Sequence, residues 1–225
     1  STQLEPNKDL RIQVEGNYNK GDNYQEFFRP AELGGPFKSQ SPLRSGNYSM
    51  SFLSFMTAFK DPANVFETFR SNREVLMTRL NRTKVAEGMY NKNSQDVLIP
   101  AFFAAYSGVS ANDVKFSPFY NLPLPNWKVD YNGLNLLPGI KNKFASFTIS
   151  HMYSSTYNVG NFVSSLEYGQ FATDYMNLTL NSLLYPLSSR FDPVTNTLIP
   201  VYVMSTISFV ERFSPLIGVN AVTKS

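Results

Sequence analysis

The chain has 225 residues, a formal net charge of +3 and no cysteine, with aromatic residues at 15% and charged residues at only 16%. The charge is spread thinly, with no basic cluster interleaved with aromatics, which argues against a nucleic-acid partner. The lack of cysteine excludes a disulfide framework, Cys-ligated metal and thiol chemistry without choosing a compartment. Soluble domains carry roughly 25% charged residues, so few charges beside many Phe and Tyr suit a β-chain that faces lipid on alternate residues, or an all-β adhesin. No run approaches the roughly 18 apolar residues of a transmembrane helix. The start at Ser1 and the polar stop at VTKS read as the bounds of a fragment of something longer.

In chain order, residues 1–7 read as a frayed lead-in. Leu10, Ile12, Val14 and Tyr18 then alternate with Arg11, Gln13, Glu15 and Asn17, a two-faced strand over 8–28. Residues 29–44 carry three prolines and Gly34-Gly35, and are expected to form a loop. Strand 46–59 follows, alternating Tyr48, Met50 and Phe52 against Ser49 and Ser51 before turning apolar on both sides.

Asp61-Pro62 is a helix start, since Asp can cap free amides and Pro suits the first helical position. Phe66, Phe69, Leu76 and Leu80 recur at three and four, so 62–82 is expected to be an amphipathic helix packed on a wall or a cap. A second, apolar helix is expected over 95–106, stopped at Ser107-Gly108, within a helical insertion spanning 60–124.

Strand 126–133 places Trp127, Val129 and Tyr131 opposite Lys128, Asp130 and Asn132, and a short connection leads into 143–163. That strand is the longest alternation in the chain. Phe147, Ile149, His151, Tyr153 and Tyr157 share one face, and Ser146, Thr148, Ser150, Ser154, Thr156 and Asn158 the other. Residues 164–198 form a long connection, followed by strand 199–213 and, past Pro215, a further strand at 215–223.

Two architectures fit this pattern. One is a soluble β-sandwich with a dry core; the other is a barrel wall with lipid on the apolar face and water on the polar one. The barrel is favoured by wet faces of Ser, Thr and Asn in place of Lys and Glu, and by Trp127, Tyr131, Tyr153 and Tyr157 on the apolar faces, as in aromatic girdles. The expected fold is therefore mainly β: an arc of a large transmembrane antiparallel β-barrel with helical insertions between strands. An arc exposes unpaired edges, so the remainder of the same barrel must supply the missing strands. The six Ser, Thr and Asn residues named above are expected to face the lumen. Phe147, Ile149, Tyr153, Tyr157, Trp127 and Tyr131 are expected to face lipid or an interface.

The strings VLIPAFFAAYSG (97–108), SPFYNLPLPNWKVDYNGL (117–134), FTISHMYSSTYNVGNF (147–162) and ERFSPLIGVNAVTK (211–224), with DLRIQVEGNYNKGDNYQEFFR and SGNYSMSFLSFMTAF before them, together resemble the C-terminal part of the SprA/Sov family. These are giant outer-membrane translocons of the type IX secretion system in Bacteroidetes bacteria. The resemblance spans nearly the whole chain. It implies a very large single-chain barrel in the bacterial outer membrane that conducts folded proteins bearing a C-terminal sorting domain, with a PorV-type partner barrel and a plug protein closing its idle routes. Under the rule of short periplasmic turns and long outer loops, 133–142 is periplasmic, while 60–124 and 164–198 are extracellular.

No catalytic, metal or cofactor pattern accompanies this. His151 is the only histidine and has no placed nucleophile or orienting acid. There is no HExxH, P-loop or GxGxxG, and Asp9, Glu15, Asp130 and Glu211 read as isolated wet-face carboxylates. The chain is therefore expected to be no enzyme and to need no cofactor. A surface binding or adhesion β-protein, or another porin-like transporter, is the competing reading. The sequons at Asn47, Asn81 and Asn177 carry no weight.

Overall fold

The computed structural model describes residues 1–30, 32–54, 57–82, 90–164, 191–192, 197–198, 200 and 202–224. Most of the expected connection at 164–198 lies outside these residues. The described elements are strands β1 (Thr2–Asn7), β2 (Leu10–Glu15), β3 (Tyr18–Pro30) and β4 (Phe37–Ser51), helices α1 (Pro62–Asn81) and α2 (Gln95–Ser107), and β5 (Asn126–Tyr131). A 3-10 turn (Gly133–Leu136), the one-turn α3 (Pro138–Lys141), β6 (Phe144–Ser164), the two-residue pair β7 (Phe191–Asp192) and β8 (Thr197–Leu198), β9 (Tyr202–Phe213) and β10 (Gly218–Thr223) complete the set.

Every pairing in the main sheet is antiparallel, and the sheet does not close. Its centre is β6, whose 21 residues extend about 70 Å at roughly 3.4 Å each. No single neighbour matches that length. On one side β5 pairs with Ile149–Tyr153 and β4 with Thr156–Val163; on the other, β10 pairs with Phe144–Ser150 and β9 with Tyr153–Ser164. Segments β4 and β5 are thus two pieces of one interrupted strand, and so are β9 and β10. Segments β2 and β3 likewise run end to end, β2 along β5 and β3 along β4. The result is an up-and-down meander of long strands in two tiers. The lower tier holds β1, β2, β5, β10 and the first half of β6; the upper holds β3, β4, β9 and the second half.

The helical insertion leaves and re-enters the sheet at the break between β4 and β5. Ser51 holds both legs: Leu124 N–H donates to Ser51 O (3.0 Å), Ser51 Oγ donates to Leu124 O (2.6 Å), and Ser51 N–H donates to Asn17 O (2.8 Å). The insertion then folds back over the apolar face of the upper tier. Asp61 caps α1 by accepting from Ala63 N–H (2.9 Å), and Gly108 ends α2 in the left-handed conformation, φ 76°. Pro100 lies in the second turn of α2, where its missing amide removes one helical bond.

Aromatic packing fastens insertion to sheet. Phe103 stacks on Tyr120 at 4.1 Å and meets Phe52, Tyr157 and Phe209 at 4.9, 5.1 and 5.4 Å. The Tyr48 hydroxyl, fully buried, donates to Tyr120 O and accepts from Tyr120 N–H (3.1 Å). At the far edge, Gln95 bridges to β9, its Nε2 donating to Tyr202 O (2.6 Å) and its Oε1 accepting from Met204 N–H (3.0 Å).

Several boundaries differ from the sequence reading: the strand expected over 8–28 is two segments, β2 and β3, the one over 126–133 ends at Tyr131, and the one over 215–223 begins at Gly218. Thr2–Asn7, expected within a frayed lead-in, is strand, although Pro6 and exposure on both faces hide the pattern. The tract at 29–44 is the top of the β3–β4 hairpin, turning at Gly34, φ 83°, with its register slipping beside Pro42. The strand expected over 46–59 starts earlier and stops at Ser51, because past Phe52 the edge of β6 is taken by Asn126 and β5.

Near Gly160 the buried face changes parity: Tyr153, Ser155, Tyr157 and Val159 are buried below it, Phe162 and Ser164 above. Asn161 takes a left-handed φ of 43°, and β4 shifts register between Gly46 and Tyr48 to match. Gly46 is required there, since a Cβ would lie 2.0 Å from Gly21 O and 2.6 Å from the Phe162 ring. Replacing Gly46→Ala is therefore expected to part β3 from β4, read as loss of amide-exchange protection in 18–25. Phe103→Ala is expected to cost about 3–5 kcal/mol in denaturant unfolding of the solubilised chain.

Candidate functional site

Cross-strand register sorts the lower tier into two faces of opposite chemistry. One carries rows of apolar side chains. Val14, Trp127, Tyr153 and Phe213 form one row; Leu4, Ile12, Val129 and His151 the next; Leu10, Tyr131, Ile149 and Val219 the third, with Phe147 opposite Ala221 below. No described helix packs over these lower rows, and Leu4, Tyr131, Val219 and Ile217 are exposed. Above the Trp127 row the same face is covered by α1, α2 and 109–125.

The border between bare and covered surface is aromatic. Trp127 stacks on Tyr153 at 4.4 Å, Tyr153 meets Phe213 at 5.0 Å, and Phe213 meets Phe59 at 5.3 Å. His151 lies one row below. Its Nδ1 is 2.6 Å from Leu216 O, in the bulge where residues 214–217 oppose only His151 and Met152. The ring sits beside Trp127 and Phe213, at 6.4 and 6.1 Å. A histidine so placed ties the β9–β10 bulge to β6, and no carboxylate or hydroxyl nucleophile is among the contacts described for it.

The opposite face is polar. Ser146, Thr148, Ser150, Ser154, Thr156 and Asn158 all lie on it, along one side of β6. Their cross-strand neighbours include Asp130 beside Ser150, Arg212 beside Ser154, Ser51 and Val210 beside Thr156, and Ser49 and Ser208 beside Asn158. Two ion pairs lie here, Lys128 with Asp130 (3.0 Å) and Arg11 with Glu5 (3.0 Å), and Thr148 donates to Asn132 Oδ1 (2.7 Å). The surface that results is hydrated and contains no cluster of three or more metal-capable side chains among the described residues.

The residues expected toward lipid or an interface divide between the tiers. Phe147, Ile149, Trp127 and Tyr131 lie on the apolar face of the lower tier, Tyr131 near its bottom. Tyr153 and Tyr157 are on the same face but fully buried: Tyr157 lies beneath Phe103 and Tyr120, and Tyr153 supports the foot of the insertion. Protein covers these two, because the insertion folds down onto the upper half of β6.

Glu211 departs from its expected place on the wet face. It lies across from Ser155 on the apolar side, where its Oε1 accepts from Tyr153 Oη (2.7 Å) and Ser54 Oγ (3.0 Å). Ser54 N–H donates in turn to Tyr153 Oη (3.0 Å), and Ser54 Oγ is 2.9 Å from Ser155 Oγ. This cluster satisfies the backbone where the chain leaves the sheet for the insertion. The continued alternation Ile207, Phe209, Glu211, Phe213 placed Glu211 on this side in the sequence itself.

Replacing Glu211→Leu removes the carboxylate that accepts from the Tyr153 and Ser54 hydroxyls, a loss of about 1–3 kcal/mol. The expected result is faster protease cleavage within 57–125 with the β6 ladder still protected from exchange; unchanged cleavage would show that the cluster does not hold the insertion. Neither the family models nor the curated proteins compared with this chain contain a match to it.

Proposed function

We propose that this chain is an arc of the wall of a large β-barrel in the bacterial outer membrane, and that the barrel is a protein-conducting channel of type IX secretion. The observation that carries the reading is the uncovered apolar face of the lower tier. Along β6 it runs from Phe144 to His151, eight residues, about 25 Å of strand, up to the buried Tyr153. A strand tilt of about 40° reduces this to about 20 Å, most of the roughly 25 Å height of the outward apolar band of outer-membrane barrels. An aromatic row bounds it above, and the opposite face is mostly polar, with Val210 and Val222 as exposed exceptions. A soluble sandwich would cover such a face with a second sheet or a helix, and the insertion covers only the upper half.

The open edges support an arc. Among the described residues, strands β1 and β3 on one side and β9 and β10 on the other have an edge without a strand partner, which lipid would not tolerate. The remainder of the same barrel would pair with them. In this reading Ser146, Thr148, Ser150, Ser154, Thr156 and Asn158 line a hydrated conduit, and small uncharged groups let a folded cargo pass without holding it. The insertion stands above the outer leaflet, and the connections at 8–9 and 132–143 face the periplasm. A PorV-type partner barrel, a plug protein and cargo with a C-terminal sorting domain belong to the same proposal, which rests on the family resemblance for its transport role.

These 225 residues contain no cysteine, so with any cysteine elsewhere in the protein replaced by serine, single substitutions report on each face directly. In the full-length protein in membranes, cysteines at Ser150, Thr156 and Asn158 are expected to react with a water-soluble maleimide. Cysteines at Ile149 and Val129 are expected to react only with a lipid-soluble one. Equal labelling of both sets by the water-soluble reagent would overturn the barrel reading.

A further inference from the structure

The lower rim of the sheet carries an excess of positive charge. It is built from the β1–β2 turn at 8–9, the connection 132–143 and the end of β10. Lys8, Lys141, Lys143 and Lys224 are all exposed there, and Asp9 is the one carboxylate among the rim's described residues. None of the four lysines forms an ion pair with a described residue. The backbone brings them close: Lys224 N–H donates to Lys143 O (3.1 Å), Lys143 N–H to Ile140 O (3.0 Å), and Asn132 N–H to Asp9 O (2.7 Å).

Beside the lysines, the turns Gly133–Leu136 and Pro138–Lys141 expose Leu136 and Leu137 at 63% and 50%. A globular rim gains nothing from two bare leucines among lysines. A membrane boundary does, because apolar side chains reach toward the acyl region while ammonium groups stay at headgroup level. The rim also lies directly below the apolar rows, with Phe147 and Ala221 a few residues away from Lys143 and Lys224.

We propose that this rim is a binding surface for anionic phospholipid headgroups, with Lys141, Lys143 and Lys224 meeting the phosphates and Leu136 and Leu137 inserted beside them. The proposal rests on the barrel reading and deepens it by naming the lipid chemistry that seats the lower end of the wall. Basic residues near an anionic surface act additively within a Debye length, each strengthening attachment by about fivefold.

The test is flotation of the full-length protein, purified in detergent, with phosphatidylcholine vesicles and with the same vesicles doped with phosphatidylglycerol. The expected result is binding to both, stronger on the doped vesicles by tenfold or more at low salt, the gain disappearing in high salt. The combined variant Lys141→Gln, Lys143→Gln, Lys224→Gln is expected to keep the neutral binding and lose the gain. Removing three charges from the insertion instead, by Arg70→Gln, Lys92→Gln and Lys115→Gln, is expected to leave the gain intact. A gain that survives the rim variant, or equal binding of the unaltered chain to both vesicles, overturns the rim proposal alone. Failure to float with either vesicle overturns the barrel reading and the rim with it.

Discussion

Everything in this structure hangs on the backbone ladder of β6. A strand of 21 residues must find partners along both edges. It does so with four shorter segments, two to a side. That division creates the two tiers, places the breaks at Ser51/Asn126 and at Phe213/Gly218, and decides where anything other than a strand can leave the sheet. The insertion leaves at one break and the Ser214–Ile217 bulge fills the other. Both are held to β6 locally, by Ser54 with Tyr153 and Ser155 in the first case and by His151 and Met152 in the second.

The apolar face follows two fates along that strand. In the upper tier it is sealed by protein: Tyr48, Tyr157 and Val159 are fully buried beneath Phe103, Phe119 and Tyr120. Burial there is deep enough that the Tyr120 hydroxyl, with no hydrogen-bond partner among the described residues, is pushed well above the usual tyrosine range. In the lower tier the same face is left bare while the polar side stays charged and hydrated. A single strand passing through both settings needs the same alternation in each, which is why periodicity along β6 is unbroken as far as the bulge at Gly160 and Asn161.

That continuity also marks how far sequence reasoning reaches. Alternation and punctuation located most strands and both long helices, because Asp61-Pro62 and Ser107-Gly108 act through local geometry. The same signal could not separate lipid from protein as the cover for Tyr153 and Tyr157, since an apolar face records only that water is absent. The end of β4 was hidden for a related reason. Phe52 and Leu53 continue an apolar run, and only the arrival of β5 far along the chain ends the strand at Ser51. β1 was missed because Thr2–Asn7 offers a single large apolar residue, Leu4, and its pairing is supplied by β2. The hairpin top was obscured by prolines that in fact sit at a strand end and a register slip.

The break between β4 and β5 has one more consequence. Ser51 opposes Thr156 and Trp127 opposes Tyr153, so only Ser154 and Ser155 separate the two halves of the interrupted strand on β6. Those two places are taken by Asn126, whose side chain accepts from Ser155 N–H, and Phe52, whose N–H donates to Ser155 O. The chain therefore pauses in mid-strand and resumes without losing count. Joining Phe52 directly to Asn126 would restore an ordinary strand in unchanged register, so a plain meander could acquire or shed the whole helical unit as a cassette while the rest of the wall kept its pairing.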